Sequence, residues 1–129
     1  MRHRKNRLLQ IRGWVQRRDL VMRTMLTNLV KFEHLTTTEK KAKVLIAYAD
    51  SFFAKLVSMN NTLDVETAQR ETIRRVKARV FGNDEWKKVI RELVPQMLTK
   101  KVSSGFLTSI KMGKRIGDAA EQIRIEIIK

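Results

Sequence analysis

The chain has 129 residues, and 43% of them are hydrophobic, which is enough for the core of a single domain. Its 28 lysines and arginines outnumber 13 acidic residues, so the formal net charge of +15 indicates a polyanionic partner, nucleic acid before an anionic membrane surface. The lack of cysteine excludes disulfides, thiolate nucleophiles and cysteine-bound zinc, and we expect a cytoplasmic protein with no membrane span and no signal peptide.

The first eighteen residues form a basic N-terminal segment with seven lysines and arginines and no acidic residue. Unpaired ions are costly to bury, so this segment needs a polyanion outside the core. We interpret residues 1–18 as a basic extension that binds a polyanion and residues 19–129 as a single globular domain. The candidate phosphate contacts in the extension are Arg2, His3, Arg4, Lys5, Arg7, Arg12, Arg17 and Arg18.

Apolar side chains are interleaved with these cations. Leu8, Leu9, Ile11 and Trp14 can hold the segment against its own domain. For Trp14 two interpretations stay open, packing on the first helix and stacking on an unpaired base; we favour packing, because stacking needs an exposed base beside the ring. The chain has two histidines, His3 and His34, and residues so far apart in the sequence do not indicate a metal site. We also expect no cofactor.

Apolar periodicity predicts four helices and one short strand before the last quarter of the chain. The helices are expected near 19–32, 39–58, 64–80 and 83–94, with a strand at 34–37. We expect the helix at 39–58 to be the most buried. Asp64 is a candidate cap for the third helix, and Pro95 should end or kink the fourth near Val94.

The third helix carries a basic stripe. Arg70, Arg74 and Lys77 are spaced i, i+4, i+7, and Arg75 and Arg79 broaden this face. Such a stripe is a solvated face about as often as a phosphate-binding surface, and the excess charge of the chain only slightly favours phosphate.

The last quarter of the chain alternates with the period of β-strands. Residues 105–112 and 122–127 form two such runs, which predicts an antiparallel hairpin. Lys114 and Arg115 lie in the connecting loop, beside two glycines. A nucleotide-binding loop is disfavoured, because a strand and not a helix follows it. A phosphate-binding hairpin tip and an ordinary solubilising turn both remain open.

The motifs MRHRK, RRDLVMRTMLTNLVKFEHLTTTEKKAK and GFLTSIKMGKRIGDAAEQIRIEI resemble the bacterial large-subunit ribosomal protein L17 family, in colinear order over nearly the whole chain. The resemblance implies an α+β fold, a two-layer domain of order α-β-α-α-α-β-β whose small mixed sheet joins the hairpin to the early strand. It implies a non-enzymatic structural constituent of the large subunit that binds 23S rRNA near the nascent-chain exit region, beside neighbouring ribosomal proteins. Neither a membrane nor a small-molecule substrate is implied as a partner.

Carried over by position, the resemblance makes residues 1–18 a basic RNA-binding extension and adds Arg23 beside the first helix and Lys111 and Arg115 at the hairpin turn as RNA-binding residues. Lys114 is a candidate RNA-binding residue because of its place in the hairpin loop. The chain departs from the family pattern near Trp14, in the loop before the hairpin, at Gln96 and at Thr108.

Three other function classes are weaker. A DNA-binding module would use two helices joined by a tight turn, and the sequence offers none of helix-turn-helix length. A regulatory protein that visits the ribosome is harder to separate by chemistry. An enzyme is the weakest class, because no carboxylate pair, nucleophile with a nearby histidine or metal set is present.

Overall fold

The computed structural model describes residues 11 and 13–128, and its elements follow the predicted order. The helical elements and strands are α1 (Val15–Phe32), β1 (His34–Thr38), α2 (Glu39–Thr62), α3 (Val65–Arg79), α4 (Asn83–Lys88), a π-helical segment (Val89–Leu93), α5 (Val94–Thr99), β2 (Leu107–Lys114) and β3 (Glu121–Ile127). The segments from α4 to α5 are continuous and correspond to the fourth predicted helix. The α+β fold class is confirmed.

The sheet has three strands in the order β1-β3-β2, and both neighbouring pairs are antiparallel. Ile125 at its centre is opposite Leu35 of β1 and Ser109 of β2. The expected mixed sheet is therefore wrong. The strands β1 and β2 do run in the same direction, but β3 lies between them, so no two parallel strands exchange hydrogen bonds.

The core lies between the sheet and the helices. Ile123, Ile125 and Ile127 alternate along β3 and are buried, as period-two alternation requires of a strand with one covered face. Seven residues of α2 are buried, more than in any other described helix, so the prediction for α2 is confirmed. Phe53 of α2 is fully buried, with edge-to-face contacts to Phe52 at 5.3 Å and Phe106 at 6.1 Å between ring centroids.

The helix α2 ends at Thr62 and not at the predicted break near residue 58. The reason lies in Asn60, whose Nδ2 donates to the Leu56 carbonyl at 2.8 Å and to Thr72 Oγ1 of α3 at 3.1 Å. Asparagine often ends a helix, but here its side chain forms hydrogen bonds to its own helix and to α3. Asp64 does cap α3, since its Oδ2 accepts the Thr67 N–H at 3.4 Å.

Helical structure continues past Pro95 to Thr99, so the prediction of an end near Val94 is wrong. The Val94 N–H donates to the Val89 carbonyl, five residues back, which is the π-helical register. This local change in register directly precedes the proline, which has no N–H to donate. The expected disturbance is thus present as a π-helical segment inside a continuing helix.

Two further boundaries differ from expectation. The helix α1 begins at Val15, before the predicted Asp19. A three-residue connection that contains Gly82, residues 80–82, joins α3 to α4. Its length is that of a helix-turn-helix turn, so the expectation that the chain has no such connection was wrong.

Candidate nucleic-acid interface

The predicted phosphate contacts divide into two groups by position. Arg2, His3, Arg4, Lys5, Arg7 and Arg12 lie outside the described residues. The structure describes Arg17, Arg18, Arg23, Lys111, Lys114 and Arg115, which lie on α1 and on the β2–β3 hairpin.

The start of α1 has an unusual charge arrangement. Its first turn holds no acidic residue, whereas Arg17 is exposed there and Arg18 follows it, half-buried. The N-terminal end of a helix is the positive end of its dipole, so cations near it are unfavourable in the isolated protein. The same arrangement favours an anion, because exposed backbone N–H groups and guanidinium groups both attract phosphate oxygens.

Ile11 and Trp14, just before α1, differ in burial. Ile11 is buried against Met22 and Val44, so the prediction that apolar residues hold the extension to its domain is confirmed at this position. Leu8 and Leu9 lie outside the described residues. Trp14 is 85% exposed, so the favoured interpretation of Trp14 as a packed side chain is wrong. Its indole is available to a partner.

Arg23 makes contacts within the folded chain. Its guanidinium carbon lies 4.4 Å from the centroid of the Phe81 ring, a cation–π contact, and the residue is half-buried. The Phe81 N–H donates to Thr27 Oγ1 at 3.0 Å, which fixes the 80–82 connection against α1. Arg23 therefore helps to position this connection whatever else it contacts.

At the hairpin tip Arg115 is paired within the turn. Its Nε donates to Asp118 Oδ1 at 3.0 Å and its Nη2 contacts Asp118 Oδ2. The Arg115 guanidinium lowers the pKa of Asp118 to about 2, and the carboxylate raises the pKa of Arg115. Lys111 and Lys114 are exposed on β2. The lysines thus carry most of the unpaired charge of this hairpin.

Glycines give the hairpin its shape. A register shift between Lys111 and Gly113 marks a bulge, and Gly113 has φ 94°, a value that side chains with a Cβ rarely adopt. The last residue of β1, Thr38, is opposite Gln122, which pairs with Gly113, so residues 114–121 extend beyond the end of β1. The tip therefore projects from the sheet.

A second basic surface lies between α1, α2 and α3, where the structure has a groove of 990 Å³. Arg79 connects its walls, because its Nη1 donates to Asp19 Oδ1 at 2.9 Å and to the Tyr48 hydroxyl at 3.2 Å. Burial raises the pKa of Tyr48. Sequence reasoning identified the basic stripe of α3 but not this groove, since the positions of α1 and α2 were not available from periodicity.

Over residues 11 and 13–128, no group of three or more His, Cys, Asp or Glu side chains is placed to hold a metal ion. Within the same residues no helix has both the length and the apolar character needed to cross a membrane.

Comparison with known families settles the assignment that the motifs indicated. The family model described as "Ribosomal protein L17" matches residues 21–128. The chain belongs to the ribosomal protein L17 family.

Curated members of the L17 family align with nearly all of the chain. The large ribosomal subunit protein bL17 of Gemmatimonas aurantiaca is 32% identical over 129 residues, covering 99% of this chain and 98% of that protein. The bL17 protein of Fervidobacterium nodosum is 29% identical over 131 residues and covers both chains completely. That of Syntrophotalea carbinolica is 31% identical over 113 residues, 87% of this chain and 65% of that protein.

Proposed function

We propose that the chain is a non-catalytic structural constituent of the bacterial large ribosomal subunit that binds 23S rRNA and neighbouring ribosomal proteins in the cytoplasm. The observation that carries this proposal is the family match over residues 21–128. The net charge of +15 supports it, because a ribosomal RNA surface is dense in phosphates. By resemblance to the family, the site lies near the nascent-chain exit region.

The N-terminal surface is the principal RNA contact in this proposal. It comprises the extension, residues 1–18, with the start of α1. Arg17 and Arg18 pair with phosphates at the positive end of the α1 dipole, and the exposed indole of Trp14 stacks on an unpaired base. Arg2, His3, Arg4, Lys5, Arg7 and Arg12 extend the same charge along the RNA backbone, and Arg23 borders the surface.

The hairpin tip is the second contact. Lys111 and Lys114 bind phosphates as exposed point charges. Arg115 uses part of its five-donor guanidinium to hold Asp118 and offers the remaining donors to RNA. The projection of residues 114–121 beyond β1 gives the tip access to a second RNA segment.

Affinity in this mechanism comes mainly from the release of counterions when cations replace them on the RNA. The logarithm of the binding constant then falls linearly with the logarithm of salt concentration, with a slope of about 0.7 to 0.9 per phosphate contact. Sequence specificity comes from the shape of the RNA against the folded face and not from a helix that reads bases.

The test compares the full chain with a variant that lacks residues 2–10, for binding to 23S rRNA and for incorporation into large subunits. The variant keeps Ile11, so the packing of Ile11 on Met22 and Val44 is retained. Loss of the four lysines and arginines in this segment should reduce the salt slope by up to about 3 to 4 and should lower incorporation.

A matched control replaces the same segment with an uncharged sequence of equal length. We expect the control to behave like the deletion. An unchanged salt slope and full incorporation in both variants would remove the extension from the binding surface. A preference of the full chain for duplex DNA over rRNA would support the DNA-binding alternative.

A further inference from the structure

The groove between α1, α2 and α3 combines an apolar floor with a basic rim. Met22, Val44, Phe52 and Leu56 contribute apolar surface to its lining. The volume of 990 Å³ is at the upper end of the range for pockets that hold small organic ligands, about 300 to 1,000 Å³. A groove of this size and composition accommodates a partner with both planar apolar and charged parts.

The charges in the lining are almost all of one sign. The lining holds five cationic side chains and one carboxylate, that of Asp19; the cations are Arg18, Lys55, Arg74, Arg75 and Arg79. Such a concentration of positive charge around a low-dielectric floor attracts an anionic partner and repels a cationic one. A second basic chain segment is therefore a poor occupant.

Arg75 is the cation whose hydrogen bonding is incomplete. Its Nε is buried, and within the described residues no acceptor bonds to it. In contrast, Arg74 donates to Glu71 Oε2 at 2.7 Å and 3.2 Å, and Arg79 is bonded to Asp19. A buried donor without an acceptor is costly, so a ligand that brings an oxygen to Arg75 is stabilised by more than charge alone.

We propose that this groove binds an unpaired stretch of large-subunit rRNA, with phosphates at Arg75, Lys55 and Arg18 and a base on the apolar floor beside Phe52. The inference rests on the proposed function and adds an RNA contact distinct from the extension and the hairpin. It also assigns a role to the basic stripe of α3, because Arg74, Arg75 and Arg79 of that helix line the groove.

A single RNA strand fits the groove better than an acidic peptide. Each nucleotide joins a phosphate to a flat aromatic base, which matches cations placed around an apolar floor. Four of the five cations are arginine, whose planar guanidinium grips a phosphate with two hydrogen bonds and stacks on bases. The groove also borders the proposed N-terminal surface, since Arg18 belongs to both.

The test places a photoreactive phenylalanine analogue at position 47 of the full chain, which is then bound to deproteinised 23S rRNA and, separately, incorporated into large subunits. Ala47 is exposed and lines the groove, so the probe reports directly on the occupant. Position 41, exposed on the same helix outside the lining, is the control for non-specific proximity. We expect covalent attachment from position 47 to unpaired rRNA nucleotides in both preparations and far less from position 41.

Two substitutions probe the groove cations. Arg75→Gln should reduce attachment from position 47 about tenfold, the contribution of one hydrogen bond between charged partners, whereas Arg70→Gln on the same helix should not. Arg70 is paired with Glu66 and does not line the groove. Lys55→Gln, at an exposed site that does not endanger folding, should act in the same direction as Arg75→Gln.

The outcomes separate this inference from the proposed function. Retained rRNA binding without attachment from position 47, equal attachment from positions 41 and 47, or attachment to a protein in the subunits would each overturn the groove inference alone. If the unsubstituted chain does not bind rRNA at all, the proposed function is overturned as well.

Discussion

The hairpin and the groove are both basic in sequence, but they differ in how their charges are paired. In the hairpin both arginines are paired, since Arg115 is bound to Asp118 and Arg124 Nε lies 2.6 Å from Glu126 Oε1. In the groove Arg74 and Arg79 are paired with Glu71 and Asp19, whereas the buried Nε of Arg75 has no acceptor within the described residues. Pairing within the folded chain, and not the count of lysines and arginines alone, therefore determines how much charge is available to RNA.

The largest expected effect comes from removing the support that both regions share. Phe53 is fully buried on α2, which forms one wall of the groove, and it contacts Phe106 beside the start of the hairpin. Phe53→Ala should lower the free energy of unfolding by about 3 to 5 kcal/mol, measured by denaturant titration. Phe32→Ala, at a residue that is 56% exposed, is the control and should change it by less than about 1 kcal/mol. Equal losses would contradict the assignment of Phe53 to the shared core.

The second prediction tests the pairing argument on two arginines. Arg17 is exposed at the start of α1, where the first turn has no acidic residue, whereas Arg115 is bound to Asp118. Arg17→Gln should therefore reduce the slope of the rRNA salt dependence by about 0.7 to 0.9, and Arg115→Gln by clearly less. Filter binding over a salt series gives both slopes. A greater loss for Arg115→Gln would reverse the comparison.

The third prediction changes the pairing inside the groove. Asp19→Asn removes the carboxylate that binds Arg79 and leaves the lining with cations alone. Because this pair is about half exposed, its loss should cost at most about 1 kcal/mol of stability. Affinity for 23S rRNA should rise at low salt, and the increase should fade as salt screens the added charge. Reduced affinity with unchanged stability would contradict an RNA-facing groove.

The smallest effect concerns the pH dependence of the hairpin turn. Arg115 lowers the pKa of Asp118 from its ordinary 3.8 to about 2, so the folded turn favours the ionised carboxylate. The stabilisation should be complete above about pH 4, decline as pH falls through this interval and vanish below about pH 2. A titration of the Asp118 carboxyl carbon by NMR gives the midpoint. In the Arg115→Gln variant it should return towards 3.8, and an unchanged midpoint would refute the pairing.

Periodicity was sufficient to predict the order of the elements, because the isoleucines of β3 alternate and the apolar residues of α2 recur every three or four positions. The predicted ends of helices were wrong where a contact between helices or a change in backbone register overrides the local sequence rules. Asn60 extends α2 by bonding Thr72 of α3, and the π-helical register before Pro95 keeps a helix intact that local rules would end.

The sequence predicted which residues of the candidate site are charged, but not which of them form ion pairs with each other. Arg115 and Asp118 meet because the turn brings positions three apart together, and the sequence does not specify that backbone. For Trp14 the sequence left packing and stacking open and packing was favoured, because stacking needs an exposed base beside the ring, yet the structure leaves the side chain exposed. The groove could not be anticipated, since it depends on how α1 and α3 lie against α2.

The most direct test of the account is a density map of salt-washed large subunits from cells that express this chain. We predict density for one copy per subunit, with Arg17 and Arg18 against rRNA phosphates, an RNA strand in the groove and Lys114 at a second RNA segment. Absence of the chain from the washed subunits, or its presence with the N-terminal surface, the groove and the hairpin tip all turned to solvent, would contradict the account.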